Sequence, residues 1–319
     1  MLNTPVVLFL FNRPECVRQV FESIRAQQPR KLYLIADGAR PNVETDPDLV
    51  EAARRVVENV DWKCELSCDF SSRNLGLKKR ISSGLNLVFK QESRAIILED
   101  DCVPHPDFFY FCEFMLEAFA EKKEVSVVSG SNFQRGVTRG DSAYYFSKYN
   151  HCWGWATWAD RWQLFDAELP FLETLLSSDY WVELHPDQTE REYWAEIFAR
   201  CKRGEINSWA YPWTASVWNA RGCTVTPQTN LVSNVGFDDS ATHTKGFNRK
   251  ISALPTSEIG EISLSPEMVV NVEADRHVYL NKFGGRNRVF PLKYLRPPLV
   301  IARGWFKNLR NGLLRCMQQ

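Results

Sequence analysis

Five short apolar runs alternate with helical patterns through the first 130 residues, and few architectures accept that rhythm. The runs are residues 6–11, 32–36, 64–70, 95–98 and 125–129, each of a length suited to a buried strand. After the first, Pro14 fits an opening helical turn, and Val17, Val20, Phe21 and Ile24 follow at helical spacing. A second helix is expected from about Pro47, with Ala53, Val56 and Val57 on its apolar face. A third carries Leu77, Ile81, Leu85 and Val88, and a fourth Phe108, Phe111, Met115 and Phe119. The alternation predicts an α/β fold: a Rossmann-like, mostly parallel central sheet flanked by helices on both faces.

The fourth run ends abruptly in Glu99, Asp100 and Asp101, followed by a Cys-Val-Pro turn and an aromatic helix starting near Pro106. Open α/β sheets bind ligands at the carboxyl ends of their strands, where this triplet falls. Hard carboxylate oxygens there suit Mg²⁺ or Mn²⁺ held jointly by the protein and a substrate's phosphates. Neither GxGxxG nor GxxxxGK[ST] occurs, which weighs against dinucleotide oxidoreductases and P-loop enzymes.

After Gly130 the rhythm changes: residues 144–162 are dense in Tyr and Trp, a helix is expected near 190–202, and 207–219 carries Trp209, Trp213 and Trp218. Residues 1–250 are read as one domain, with a nucleotide half (1–130) and an acceptor half (131–250); 251–319 reads as an extended tail. Formal net charge is zero, so no global field favours nucleic acid. Nine cysteines without a CxxC pair, and no leader pattern ahead of the first run, suggest a reduced, cytoplasmic protein. From Lys282 onward there are nine Lys/Arg and no acid, interleaved with aromatic and aliphatic residues. Two readings fit that basic amphipathic segment: contact with an anionic membrane surface, or a terminal helix packed on the domain.

Taken in order, Phe11-Asn12-Arg13-Pro14, Ala36-Asp37-Gly38, Ile97-Leu98-Glu99-Asp100-Asp101 and Pro106-Asp107-Phe108-Phe109 resemble the nucleotide-diphospho-sugar transferases of the GT-A fold. The motif order is similar to that of N-acetylglucosaminyltransferase I. Residues 150–162 (NHCWGWATWADRW) and 230–244 (NLVSNVGFDDSATHT) look like bacterial surface-polysaccharide sugar transferases. The resemblance implies a metal-dependent, inverting glycosyltransferase. It would move a sugar from a UDP- or dTDP-sugar to a glycan or lipid-linked acceptor in surface-polysaccharide or lipopolysaccharide assembly, peripheral to the inner face of the membrane.

The resemblance also implies roles. Asp101 would ligate the Mn²⁺ or Mg²⁺, while Glu99 and Asp100 would hydrogen-bond the ribose or donor sugar. Asp37 would accept the imide N3–H of the base, which fits uracil or thymine, does not fit cytosine, and leaves guanine open. Arg13 would contact the nucleotide or diphosphate with its fork of donors. Arg73, Lys78 and Lys79 either close over the phosphates or form a solvated helix face. His243, in the loop 236–244, is a candidate second metal ligand, although N-acetylglucosaminyltransferase I needs none. For the catalytic base, Asn207 and Ala210 stand where an Asp is expected, which leaves Glu205 nearest, with Asp160, Glu196 and Asp238 as further candidates. Trp153, Trp155, Trp158, Trp209 and Trp213 are candidates to stack on pyranose faces on the acceptor side. Two rivals remain: a catalytically silent sugar-nucleotide-binding or scaffold protein, and, more distantly, a sugar nucleotidyltransferase, whose Gly-rich opening loop is missing here.

Overall fold

The computed structural model describes residues 1–236, 253–265 and 267–288. Its first half follows the expected rhythm. The elements are β1 (Val6–Leu10), α1 (Pro14–Gln27), β2 (Lys31–Ala36), α2 (Asp46–Val56), β3 (Glu65–Phe70), α3 (Leu77–Val88), β4 (Arg94–Glu99), β5 (Cys102–Pro104), α4 (Pro106–Ala118) and β6 (Val125–Ser129). Pro14 opens α1, and Val17, Val20, Phe21 and Ile24 form its buried face. Burying each such side chain contributes about 1.5–3 kcal/mol, far more than helix propensity does.

The main sheet has eight strands in the order β3-β2-β1-β4-β8-β6-β9-β7. From β1 the chain builds outward through β2 and β3, then returns to place β4 on β1's other side. That reversal is a topological switch point, and it opens a crevice at the carboxyl ends of β1 and β4. All pairings among β1 to β4 are parallel. Their register is nearly flush: Leu10 lies beside Ala36, and Phe9 beside Glu99. The residues that follow these strands therefore emerge along one edge.

The second half contains β7 (Tyr144–Ser147), β8 (Trp155–Trp158), α5 (Ala159–Trp162), α6 (Leu172–Leu176), α7 (Asp179–Leu184), α8 (Gln188–Lys202), α9 (Ala210–Asn219), β9 (Cys223–Pro227), β10 (Val232–Asn234) and α10 (Val272–Asn281). The Trp-rich motif holds a strand that periodicity did not reveal. β8 is inserted antiparallel between β4 and β6, and its four residues are all buried. Gly154 enters β8 with φ +63°, where a Cβ would meet Val232 and Phe108. β10 pairs antiparallel with β5, just beyond the acid triplet.

The stretch after residue 250, expected as an extended tail, includes a helix packed into the core. In α10, Ala274, Val278 and Tyr279 are buried, the last two in the cluster that contains Trp209 and Trp213. Asp275 accepts from Ser147 Oγ at 2.5 Å and Lys148 N at 3.1 Å, tying α10 to the end of β7. Lys148 in turn donates to Leu184 O and pairs with buried Glu190, both at 2.9 Å, joining α7 and α8 to the same point. Sequence spacing cannot show this helix's burial, because partners such as Ser147, Thr189 and Tyr193 are distant in the chain. The basic segment beyond Arg288 falls outside the described residues, so the membrane and packing readings of it stay open.

Candidate functional site

The flush register brings Arg13, Asp37 and the acid triplet to a single cavity of about 640 Å³ at the switch point. β1 ends one residue before Phe11, whose backbone N–H donates to Asp100 Oδ2 at 3.0 Å. Arg13 then donates to Asp100 Oδ1 at 2.5 Å and to Asp101 Oδ2 at 3.0 Å. Burial pushes the Asp100 carboxyl up, to about 6, although Arg13 pulls the other way. Burial works against the Arg13 charge, but Asp100 and Asp101 outweigh it and raise its pKa further. Sequence reading aimed Arg13 and Asp100 at the nucleotide and sugar. In the structure both line the cavity and also bind each other, so that they brace the β1–α1 loop against the end of β4.

Asp37, at the end of β2, is buried and lines the same cavity. Its Oδ1 accepts from Gly38 N at 2.9 Å and Leu75 N at 2.8 Å, and its Oδ2 from Gly76 N at 2.9 Å. A carboxylate offers about four acceptor positions, so one on Oδ2 remains for a ligand N–H. Gly38 is required here because a Cβ would run into the backbone of Arg73. Arg73 packs its main chain against Gly38, but the residue is exposed and does not line the cavity.

Asp46 organises the rim. It accepts from Arg40 Nε at 2.5 Å and Nη2 at 2.8 Å, and from Asn12 Nδ2 at 2.8 Å. The Arg40 hydrogen bonds, with Asn12 adding to them, hold its carboxyl down to about 2. Arg40 also lies over the Phe11 ring, 5.4 Å from its centroid. Arg80 reaches the cavity from α3 while bound to Asp69 Oδ2 at 2.8 Å.

Within the triplet, the Glu99 carboxyl is the open one: it makes no hydrogen bond or ion pair among the described residues and lines the cavity. Burial, followed by repulsion from Asp101 and Asp100, pushes it up to about 8. Asp101 keeps one oxygen near the Cys102 thiol at 3.3 Å and shares the other with Arg13. The backbone after β10 lies across it: Val235 N donates to Asp101 O at 2.8 Å, and a Cβ on Gly236 would overlap the Asp101 carboxylate and the Arg13 guanidinium. Among the described residues, no group of three or more His, Cys, Asp or Glu is arranged to hold a metal ion unaided. The donor chemistry does fit one held jointly with a phosphate. Three clustered carboxylates with a single arginine leave negative charge at a cavity wall, and the oxygens are hard.

The other expected residues divide. Trp153 and Trp209 line the cavity, whereas Trp155 and Trp213 are fully buried behind it. Trp155 stacks on Trp209, with centroids 5.5 Å apart, and so forms the floor under a cavity wall. Trp158 is buried and donates to Leu116 O at 3.0 Å. Lys78 points to Ala167 O at 3.3 Å and Lys79 is exposed, so neither meets the cavity, which favours the solvated-face reading of both. Glu205 is exposed, paired with Arg203 at 2.6 Å and Arg200 at 3.2 Å, and does not line the cavity. Its neighbours Asn207 and Ser208 are in that wall. Asp160 pairs with Lys123 and Arg161, and Glu196 is exposed beside Arg203. His243 and Asp238 lie outside the described residues. Sequence reading missed Arg40, Arg80, Asn150, His151 and Lys282, all of which line the cavity. Asp69 and Asp46, as charge partners on flanking elements, were the only available signals for the two arginines.

No protein-family model and no curated protein sequence matches the chain. Among solved structures, it is similar to a mannosyltransferase from Pyrobaculum calidifontis in complex with GDP-Man and Mn²⁺. That match has 12% identity over 69% of each chain and a TM-score of 0.37. A UDP-glucose pyrophosphorylase complexed with UDP-glucose matches at 10% identity over 70% of this chain and 90% of its own, TM-score 0.35. A 4-diphosphocytidyl-2C-methyl-D-erythritol synthase from Anaerococcus prevotii matches at 9% identity over 62% of this chain and 84% of its own, TM-score 0.32. At these scores the likenesses add nothing to the site drawn above.

Proposed function

We propose that this chain is a divalent-metal-dependent glycosyltransferase of the GT-A type. It would take a sugar from a nucleoside-diphosphate donor and pass it to a glycan or lipid-linked acceptor. The observation that carries the reading is the convergence of Asp37, Glu99 and Asp101 on one cavity at the sheet's switch point. Asp37 has one acceptor position left for an imide N–H, which favours a uracil- or thymine-containing donor. Asp101 would ligate the metal together with the diphosphate, whose departure the ion's charge stabilises. Glu99, without a partner among the described residues, would accept hydrogen bonds from hydroxyls of the ribose or donor sugar. Trp153 and Trp209 offer aromatic faces to an acceptor sugar.

The β1–α1 loop favours transfer over nucleotidyl exchange. A triphosphate cradle needs open backbone N–H groups, and the Phe11 N–H is already bound to Asp100. The silent-binder reading draws on Asn207 and Ala210, where an acid is expected, and on Glu205, which is taken up by Arg203 and Arg200 and does not line the cavity. Donor turnover measured with and without mixed glycan acceptors separates the two. Acceptor-dependent release of UDP or dTDP supports the transferase; tight nucleotide binding without turnover on any acceptor supports the binder.

A further inference from the structure

Four cationic side chains line the cavity among the described residues: Arg13, Arg40, Arg80 and Lys282. Three are matched to carboxylates, namely Asp100 with Asp101, Asp46, and Asp69. Among the described residues Lys282 has no carboxylate partner. It follows α10 directly, and its Nζ lies 3.0 Å from His151 Nδ1 and 3.6 Å from the centroid of the Phe133 ring. Trp153 and Phe283 complete the aromatic surround, at 5.2 Å and 5.5 Å. A half-buried ammonium facing rings and one imidazole is under-solvated, and it keeps N–H donors that an anion could take. Beside His151 in the chain, Asn150 also lines the cavity; its buried Nδ2 has no hydrogen-bond partner among the described residues, while Oδ1 takes the Thr214 hydroxyl at 2.6 Å.

We propose that Lys282 and Asn150 form an oxyanion subsite of the cavity, which receives a phosphate or carboxylate group of the substrate. The chemistry is the same for either anion: an ammonium with N–H donors beyond the one facing His151, and an amide donor on the same cavity wall. Two sources present such an oxygen, the diphosphate of the donor or an acidic group on the acceptor (a uronic carboxylate or a phosphate monoester). The proposal deepens the transferase reading by giving the substrate an anion to match this end of the cavity. It also explains why α10 is welded to β7 through Asp275, since that bond fixes the helix that leads into Lys282.

Burial holds the Lys282 ammonium down to about 7, and its neighbours reinforce a dry setting. His151 is held well below its usual range by burial and by Lys282, and the Cys152 thiol is pushed up by burial. An arriving anion would draw Lys282 back to full protonation, so binding should take up protons from solution.

The test is calorimetric titration of the full chain, without metal, using inorganic pyrophosphate, inorganic phosphate and glucuronate, with glucose as the neutral control. Wild type, Lys282→Met and Lys282→Arg are compared, each in two buffers of different ionisation heat near pH 7.5. We expect at least one anion to bind wild type with proton uptake and glucose not to bind. Lys282→Met should lose about tenfold or more in affinity, the weight of one charge-assisted hydrogen bond, while Lys282→Arg retains most of it. Preference for pyrophosphate assigns the subsite to the donor, and preference for phosphate or glucuronate assigns it to the acceptor. Equal anion binding by wild type and Lys282→Met overturns the proposal, as does a wild type that binds none. A separate titration with UDP and Mn²⁺ tests the donor reading alone, so failure there and failure here are distinguishable.

Discussion

Arg13 joins the ends of two neighbouring strands: its Nη2 lies 2.5 Å from Asp100 and 3.0 Å from Asp101, across the switch point of the sheet. Asp100 is buried, so removing the guanidinium would leave its carboxylate uncompensated. Arg13→Met should cost on the order of 3–5 kcal/mol, the usual cost of breaking a buried pair from one side. Asp100 would shed part of that cost by protonating. Urea unfolding measures it; a loss below 1 kcal/mol would mean that the loop is held by other contacts.

Asp46 gives the rim an acid-sensitive lock. Its carboxyl sits near 2 in the folded chain, below the ordinary 3.8. A depressed carboxyl stabilises the fold above its unfolded pKa and loses that contribution as pH falls through the folded value. The stabilisation, about 2 kcal/mol, should be complete above about pH 5 and fade toward pH 2. Asp46→Asn should therefore be less stable than wild type at pH 6, with the gap closing as pH falls to 2. A gap that does not change with pH would remove the assigned cause.

The tryptophans should separate into two kinds. Trp155→Ala opens a void between β8 and Trp209 and should cost about 3–5 kcal/mol. Trp153→Ala, at the cavity wall, should cost less in stability and more in acceptor-dependent turnover, seen as a raised KM. Reversed effects in the two variants would contradict the division of wall from floor.

Glu205→Gln should leave donor turnover within about twofold of wild type, because Glu205 is exposed, off the cavity wall and paired with Arg203 and Arg200. Loss of a true general base would cost about 10²–10⁴ in rate. A fall of that size would restore Glu205 to the mechanism and require its side chain to leave Arg203 and Arg200 for the cavity.

The parts legible in the sequence share a local cause. Strand and helix periods showed β1 to β4 and α1 to α4, and acids after an apolar run marked Asp37 and Asp101 as edge residues. What stayed hidden depends on contacts distant in the chain. Trp155 carries the same letters whether it stacks on a sugar or on Trp209, and only the antiparallel insertion of β8 decides between them. Arg13 and Asp100 were both visible as site residues, yet their mutual bond needed the flush register of β1 against β4. Lys282 lies 131 residues from His151 and sits in a stretch read as a basic tail, so no spacing could reveal it as part of the cavity wall.

The most direct test of the account is calorimetric titration of wild type and Asp101→Asn with UDP, dTDP, GDP and CDP, each with Mn²⁺ and with chelator. The account predicts Mn²⁺-dependent binding of UDP or dTDP to wild type, no measurable CDP binding, and loss of the metal dependence in Asp101→Asn with the fold retained. Binding that is unchanged by chelator or by Asp101→Asn would contradict it and reduce the acid triplet to an ordinary strand end.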